Sequence, residues 1–376
     1  MRSDKPHLPN PPSVIRNPQF PHGGNIYAFA RTRGVQFEQV LDFSASINPL
    51  GCPPAAVRAY RHALARIAHY PEPYTESLTG ALAAYHGLDP STILVGNGST
   101  QLIFLLARVL AARRVLFIAP LFGEHEVAFR LNGAQGEHFF LRPPDFTLSL
   151  TQLGRLITKS CEVLILTNPN SPTGALVPSA QVEELACICR RVGTKLLVDE
   201  AFVDWVEEES SKRLAARSPQ VIVLRSLTKF FALPGLRVGY LIGQARLVER
   251  LRAQLEPWSV NTVAQQVALA CLRDPGFVRH SRAFMEQERA WLFKQFVELP
   301  GVQPFRSWAN FLLVKVSKNG VSASALSQAL AQANLLVRGC ADFSGLGKRF
   351  FRVAVRTRQD NRRLLKGLRA VLRSRA

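Results

Sequence analysis

Residues 221–229 read Val-Ile-Val-Leu-Arg-Ser-Leu-Thr-Lys, and this stretch decides the fold. Its apolar run is short and rich in β-branched residues, which predicts a strand that is buried on both faces. Lys229 follows the end of that strand. Burial would lower the pKa of its amine, and a neutral amine can attack an aldehyde. The alternative is a lysine that simply reaches solvent from the strand end.

Outward from this stretch, short apolar runs alternate with helical patterns. The predicted helices cover residues 100–112, 124–131, 179–191 and 244–255. The predicted strands cover residues 92–95, 115–119, 137–141, 162–166, 195–198, 221–225 and 238–242. This alternation is typical of an α/β fold whose central sheet is mostly parallel and covered by helices.

The two ends of the chain differ from this centre. The start up to about Arg33 is rich in Pro, Gly and Asn and predicts irregular structure, and helices are predicted at 53–67 and 75–85. After residue 270 the pattern predicts a helix at 274–299, strands at 310–316, 335–338 and 350–355, and helices at 322–333 and from 360. We therefore expect an N-terminal segment (1–50) that contributes to the substrate pocket and the small domain, a large domain (51–270) and a smaller α+β domain (271–376).

Asp199 directly follows the apolar run Leu196-Leu197-Val198. A carboxylate at the C-terminal end of a parallel strand points into the crevice where α/β sheets bind ligands. If the ligand is a pyridinium ring, this carboxylate would keep the ring nitrogen protonated and make the ring an electron sink. The alternative is an aspartate that caps a helix.

Two loops also follow predicted strands. Gly96-Asn97-Gly98-Ser99-Thr100 opens a helix, and a helix N-terminus with glycines is suited to binding phosphate. The spacing is neither GxGxxG nor a Walker loop, which disfavours a dinucleotide or a nucleoside triphosphate. Asn168-Pro169-Asn170-Ser171-Pro172-Thr173-Gly174 predicts a rigid turn. For both loops a purely structural turn is the alternative.

These four features, in their order along the chain, resemble those of the fold-type I enzymes that depend on pyridoxal 5'-phosphate and share the aspartate aminotransferase fold. The resemblance implies that Lys229 binds the cofactor aldehyde and that Asp199 pairs with the pyridine nitrogen. It implies a homodimer, in which Tyr70 reaches the cofactor phosphate of the neighbouring subunit. The further cofactor-binding residues that it implies are Gly98, Ser99, Thr100, Phe122, Asn170, Ser171, Phe202, Ser226, Thr228 and Arg237.

Two positions depart from that family pattern. Ser171 stands where the family usually has an asparagine that bonds the phenolic oxygen of the cofactor, and a serine reaches less far. Phe202 stands where many aminotransferases have tyrosine, so that a hydrogen bond is lost there and only packing remains.

Several segments narrow the resemblance to threonine-phosphate decarboxylases, with histidinol-phosphate aminotransferases as near relatives. These segments are residues 22–26, 41–51, 199–202, 225–230 and 257–261. The resemblance implies that Arg352 binds the substrate carboxylate and Arg338 the substrate phosphate, with His22, Ser46 and Asn48 completing the pocket. Guanidinium groups suit both anions. The alternation Arg-Val-Ala-Val-Arg at 352–356 also permits a basic strand that faces water.

The charge balance is strongly basic, with 47 Lys and Arg against 27 Asp and Glu. This fits a site for anionic ligands. A nucleic-acid-binding regulator of the same fold is the alternative that charge alone suggests, but no DNA-binding motif is present, and we expect no nucleic-acid partner. The six cysteines form no metal-binding or C-x-x-C pattern, and no apolar run is long enough to span a membrane. We therefore predict a cytoplasmic enzyme without a metal.

Overall fold

The computed structural model describes residues 23–158, 160–318 and 320–374. Its strands are β1 (Leu41–Asp42), β2 (Ile93–Gly96), β3 (Arg114–Ala119), β4 (Gln135–Phe140), β5 (Val163–Thr167), β6 (Lys195–Asp199), β7 (Val221–Ser226), β8 (Gly239–Ile242), β9 (Val302–Pro304), β10 (Phe311–Val316), β11 (Leu335–Leu336), β12 (Arg338–Gly339) and β13 (Phe350–Ala354). Its α-helices are α1 (Ile26–Arg33), α2 (Pro54–Ala63), α3 (Glu76–His86), α4 (Gly98–Leu110), α5 (Glu124–Leu131), α6 (Leu150–Leu156), α7 (Ser179–Val192), α8 (Lys212–Arg217), α9 (Leu227–Phe230), α10 (Ala245–Arg252), α11 (Thr262–Leu272), α12 (Pro275–Val297), α13 (Ala323–Ala331) and α14 (Arg358–Ser374).

A seven-stranded sheet forms the centre, in the order β2-β8-β7-β6-β5-β3-β4. The pairs from β7 to β4 are parallel, and only β8 runs antiparallel to its neighbours β2 and β7. Every residue of β5 and β7 is buried, because helices cover both faces of the sheet. The predicted α/β fold with a mostly parallel sheet is confirmed.

A second sheet has the order β12-β13-β10-β9 and is antiparallel throughout. The N-terminal strand β1 pairs with β11, so residues 41–42 lie beside residues 335–336. The division of the chain at residues 50 and 270 stays a prediction.

Two local predictions were wrong. Residues 26–33 form a helix rather than irregular structure. Asn25 caps its start by accepting a hydrogen bond from Ala28 N, and Gly34 ends it with a positive φ of 66°. The predicted strand at 335–338 is two short strands in different sheets, because β11 pairs with β1 and β12 pairs with β13. The local pattern could not show that the chain changes partner at Val337.

Candidate active site

The main cavity has a volume of about 490 Å³ and lies where β5, β6 and β7 end. Thr167, Asp199 and Ser226 are the last residues of those strands and all line it. The carboxyl ends of parallel strands form the usual ligand crevice of an α/β sheet. The cavity is lined by Gly23, Ser44, Ala45, Ser46, Ser99, Thr100, Phe122, Glu124, Thr167, Ser171, Asp199, Ala201, Phe202, Ser226, Thr228, Lys229, Arg237, Arg338, Phe343 and Arg352.

Lys229 lies in the short helix α9, directly after β7, and lines the cavity. Burial, together with the positive charges of Arg352 and Arg237, lowers the pKa of its amine from 10.5 to about 8, against the opposing charge of Asp199. A lowered pKa leaves a larger share of the amine neutral and nucleophilic near pH 7. The environment of Lys229 therefore suits covalent binding of an aldehyde.

The carboxylate of Asp199 is fixed by two contacts. Its Oδ2 lies 2.8 Å from His125 Nε2, and its Oδ1 accepts a hydrogen bond from Ala201 N at 3.1 Å. His125 is fully buried at the start of α5. Sequence reasoning missed His125, although it lies three residues after Phe122, at the start of a correctly predicted helix. The contact orients Asp199 towards the cavity.

A cluster of hydrogen-bond donors lines the cavity where α4 begins. Ser99 and Thr100 lie in the first turn of this helix, and Ser226 Oγ lies 2.7 Å from Thr228 Oγ1 on the neighbouring segment. Gly239 in β8 lets the start of α4 lie close to the sheet, because a Cβ at this position would lie 2.6 Å from Ser99 N. The backbone N–H groups at a helix start and these hydroxyls are donors suited to a phosphate.

Arg237 adds a guanidinium to this cluster of donors. It packs so closely against Gly98 that a Cβ at Gly98 would lie 2.5 Å from Arg237 Nη2. Gly98 also has a φ of +75°, which an L side chain rarely adopts. Both facts explain why glycine stands at position 98.

Arg352 is buried, with 9% of its surface exposed, so the alternative of a basic strand facing water is wrong at this position. Its Nη1 donates to Ser171 Oγ at 2.9 Å, and its Nη2 donates to the carbonyl oxygen of Ser44 at 3.1 Å. Burial lowers the pKa of this guanidinium to about 10. Arg352 is thus a buried cation at the cavity whose hydrogen-bonding partners there are neutral.

Arg338 is the register partner of Arg352 across β12 and β13. Unlike Arg352, it has an acidic partner, because its two terminal nitrogens bind the two carboxylate oxygens of Asp342 at 2.8 and 2.5 Å. The ring of Phe343 lies 4.9 Å from its guanidinium carbon.

A buried cluster of charges supports the strand ends from the other side. Residues alternate in direction along a strand, so Glu200 and Arg225 point away from the cavity beside Asp199 and Ser226. Arg225 is fully buried and binds Glu207 Oε2 at 2.6 Å, Asp204 Oδ1 at 3.0 Å and Ser210 Oγ at 3.1 Å. Burial raises the pKa of Glu200 to about 7. This cluster ties β7 to the segment after β6.

Within the described part of the chain, most of the predicted site residues line the cavity, but four do not. Asn48 is buried and donates to Phe230 O and Ser281 Oγ, and Asn170 donates to Pro120 O, so both amides connect segments that are distant in the sequence. Gly98 lies beneath Arg237. Tyr70 is 81% exposed on the surface. His22 lies outside the described residues.

The polar groups of the cavity fit pyridoxal phosphate. The start of α4 offers donors for its phosphate, Asp199 an acceptor for its ring nitrogen, and Lys229 an amine for its aldehyde. Two buried hydroxyls of the lining, Ser46 Oγ and Thr167 Oγ1, have no hydrogen-bond partner within the described protein, as expected for donors reserved for a ligand.

A comparison with protein families agrees with this geometry. Residues 38–368 match the family described as "Aminotransferase class I and II". The chain belongs to this family. As a member of the class I and II aminotransferases, it uses pyridoxal 5'-phosphate as its cofactor.

Curated relatives within this aminotransferase family are similar over nearly their whole length. The threonine-phosphate decarboxylase of Salmonella typhimurium is 36% identical, over 93% of this chain and 96% of the relative. A putative threonine-phosphate decarboxylase of Caldanaerobacter subterraneus is 32% identical, over 94% of each chain. The crystal structure of histidinol-phosphate aminotransferase from Clostridium acetobutylicum superposes with a TM-score of 0.83 at 25% identity, covering 89% of this chain and 100% of that chain.

No helix among the described residues combines the length and the apolar character that crossing a membrane requires.

Proposed function

We propose that the protein removes the carboxyl group of L-threonine O-3-phosphate and yields (R)-1-aminopropan-2-yl phosphate, the aminopropanol linker of cobalamin. The observation that carries this proposal is the pair Arg338 and Arg352, which lie opposite each other on adjacent strands and both line the cavity. Two guanidinium groups at one cavity suit a small substrate with two anionic groups. The two decarboxylase relatives support the same substrate.

In this mechanism the chain positions the substrate through its two anions. Arg352 would bind the carboxylate, aided by Ser171, and Arg338 would bind the phosphate, with Ser46 beside it. Phe122 and Phe202 would pack against the cofactor ring. Ser99, Thr100, Ser226, Thr228 and Arg237 would hold the cofactor phosphate.

When bound, pyridoxal phosphate supplies an electron sink for the pair released as the carboxyl group leaves. Asp199, fixed by His125, would keep a proton on the ring nitrogen. Lys229, whose amine has a pKa of about 8, or a water would return a proton to the substrate Cα. Arg352 and Arg338 would orient the substrate so that the bond from Cα to the carboxyl group is the one that breaks, and this orientation would select decarboxylation over transamination.

Release of CO2 from threonine phosphate by the pure protein, without a 2-oxo acid acceptor, tests this proposal. Glutamate formation from histidinol phosphate and 2-oxoglutarate, with no CO2 released, would overturn it in favour of a histidinol-phosphate aminotransferase. Serine phosphate is a useful second substrate. It lacks one methyl group, and in an apolar pocket this loss lowers kcat/KM by a factor that corresponds to about 1–3 kcal/mol of transition-state free energy.

We also propose that the protein is a homodimer with shared active sites. Large apolar side chains are exposed on one stretch of the surface, namely Tyr60, Leu64, Ile67, Tyr70, Tyr74 and Trp258. Tyr70 packs on Trp258 with a ring centroid distance of 4.9 Å, which would present Tyr70 to a second copy. The sites would then need Tyr70 of the partner subunit.

Mixing two inactive variants tests the shared site. If Lys229→Ala and Tyr70→Ala are dissociated together and reassembled, about a quarter of all sites should contain neither substitution, and activity should return. No recovery, or a monomer by sedimentation, would contradict the shared site.

A cytoplasmic location remains part of the proposal. All six cysteines are free thiols, and four of them are buried, which fits a reducing compartment.

A further inference from the structure

The two arginines of the cavity differ in the hydrogen-bond partners of their guanidinium groups. Arg352 bonds a hydroxyl and a carbonyl oxygen, and both partners are neutral. Arg338 is paired through both terminal nitrogens with the carboxylate of Asp342, and Nη1 also donates to the carbonyl oxygen of Gly339. An anionic ligand can therefore bind Arg352 without displacing another anion, but at Arg338 it must displace the carboxylate of Asp342.

The position of Asp342 makes that displacement feasible. Arg338 lines both the main cavity and a small recess beside it, whereas Asp342 lines only the recess. The side chain of Asp342 retains 19% of its exposure, so it can turn towards water when another anion takes its place. Phe343 remains stacked near the guanidinium and limits its movement.

The exchange favours some anions over others. A carboxylate that displaces Asp342 replaces one singly charged, two-oxygen group with another, so nothing is gained. A phosphate carries a charge of about −1.5 to −2 and three acceptor oxygens at pH 7. It therefore gains more from a guanidinium than the aspartate does.

We propose that Asp342 is a specificity-determining residue that reserves Arg338 for a phosphate and denies it to a carboxylate. This inference rests on the proposed function, in which Arg338 binds the substrate phosphate. Arg352, with neutral partners, remains available to the carboxylate. The pair thus distinguishes a phosphorylated amino acid from a dicarboxylic one, although both ligands carry two anions.

Two matched ligands without an amino group test this assignment. In 4-phosphonobutanoate and glutarate, three methylene groups separate a carboxylate from a phosphonate or from a second carboxylate. Neither can react with the cofactor aldehyde. Calorimetry with protein loaded with pyridoxal phosphate gives their dissociation constants for the wild type, Arg338→Met, Asp342→Asn and the double variant.

In the otherwise native protein, we expect Arg338→Met to weaken the phosphonate about tenfold and to leave glutarate unchanged, because glutarate does not displace Asp342. In the Asp342→Asn background, Arg338→Met should weaken both ligands. Asp342→Asn alone should tighten glutarate. Asp342→Ser replaces Asp342→Asn if the latter folds poorly.

Asp360→Asn is the matched control. It removes a carboxylate from Arg356 at the same i,i+4 spacing, outside the cavity lining, and should change neither dissociation constant. The proposal is overturned if Arg338→Met weakens glutarate in the native background, or leaves it unchanged in both backgrounds. If the expected pattern holds but the wild type releases no CO2 from threonine phosphate, the proposed reaction is wrong and the selectivity stands.

Discussion

Arg338 and Arg352 face each other directly across the antiparallel strands β12 and β13. Like charges directly opposite each other on neighbouring strands repel, and this repulsion destabilises the sheet unless a negative charge offsets it. Asp342 offsets the charge of Arg338, but Arg352 has only neutral partners. The remaining positive charge of Arg352 acts on Lys229, whose pKa it lowers. The substrate-binding cations and the reactive amine are therefore electrostatically coupled.

This coupling predicts a pH dependence. The measurement starts from protein freed of cofactor, in which borohydride traps the adduct of pyridoxal phosphate on Lys229. The rate at which this adduct forms should rise with pH around a midpoint of about 8 rather than 10.5. Arg352→Met removes a cation and should move the midpoint upward. Arg356→Met, four residues along the chain, is the control and should not. A midpoint that stays in place in Arg352→Met would show that Arg352 does not contribute to this shift.

The same shift affects the stability of the cofactor-free protein. The folded-state pKa of Lys229 is about 8 and the ordinary value is 10.5. The unfolded chain therefore binds more protons than the folded chain within this window, and the penalty that the buried amine imposes on folding decreases as pH rises from about 8 to 10.5. The free energy of unfolding of Lys229→Met, measured in urea across this range, should lack that contribution. Parallel curves for the two proteins would contradict the shift.

Replacing His125 with phenylalanine should weaken cofactor binding. The phenyl ring fills similar space but leaves Asp199 Oδ2 without its buried partner, and a hydrogen bond to a charged group contributes about 1.5–3 kcal/mol. The dissociation constant of pyridoxal phosphate, followed by absorbance, should rise about tenfold or more. His138→Phe removes a similar contact, to Glu126 at 2.9 Å outside the cavity, and should have no such effect. Equal affinities in both variants would mean that His125 does not position Asp199.

Ser171→Ala should raise the KM for threonine phosphate. It removes the acceptor of Arg352 Nη1 and leaves the guanidinium less well oriented, which corresponds to about a five- to tenfold effect. Ser171→Asn keeps an acceptor oxygen and should remain close to the wild type. Ser327→Ala, which removes a hydroxyl from helix α13, serves as the control. An unchanged KM in Ser171→Ala would show that this contact does not matter for binding.

Arg225→Met should destabilise the fold strongly. It leaves the buried carboxyl groups of Glu200 and Asp204 without their cation, a loss of about 3–5 kcal/mol. Arg130→Met removes an exposed cation 3.8 Å from Glu126, which keeps its contact with His138, and should cost no more than about 0.5 kcal/mol. Chemical denaturation measures both values. Similar losses for the two variants would show that the buried cluster does not stabilise the strand ends.

The sequence by itself determined the α/β fold, the strand ends that carry Asp199 and Lys229, and the family. These features are local, because apolar runs, glycines and the residues that follow a strand are set by neighbours in the chain. Only the tertiary structure decided which polar residues face the cavity. Asn48 and Asn170 lie in segments that predict a site, yet their amides donate to carbonyl groups 182 and 50 residues away in the sequence. His125 meets Asp199 across 74 residues, and Arg352 meets Ser171 across 181. Such contacts depend on strand register and packing, which no local pattern contains, and the pairing of Arg338 with Asp342 depends on how the chain turns after β12.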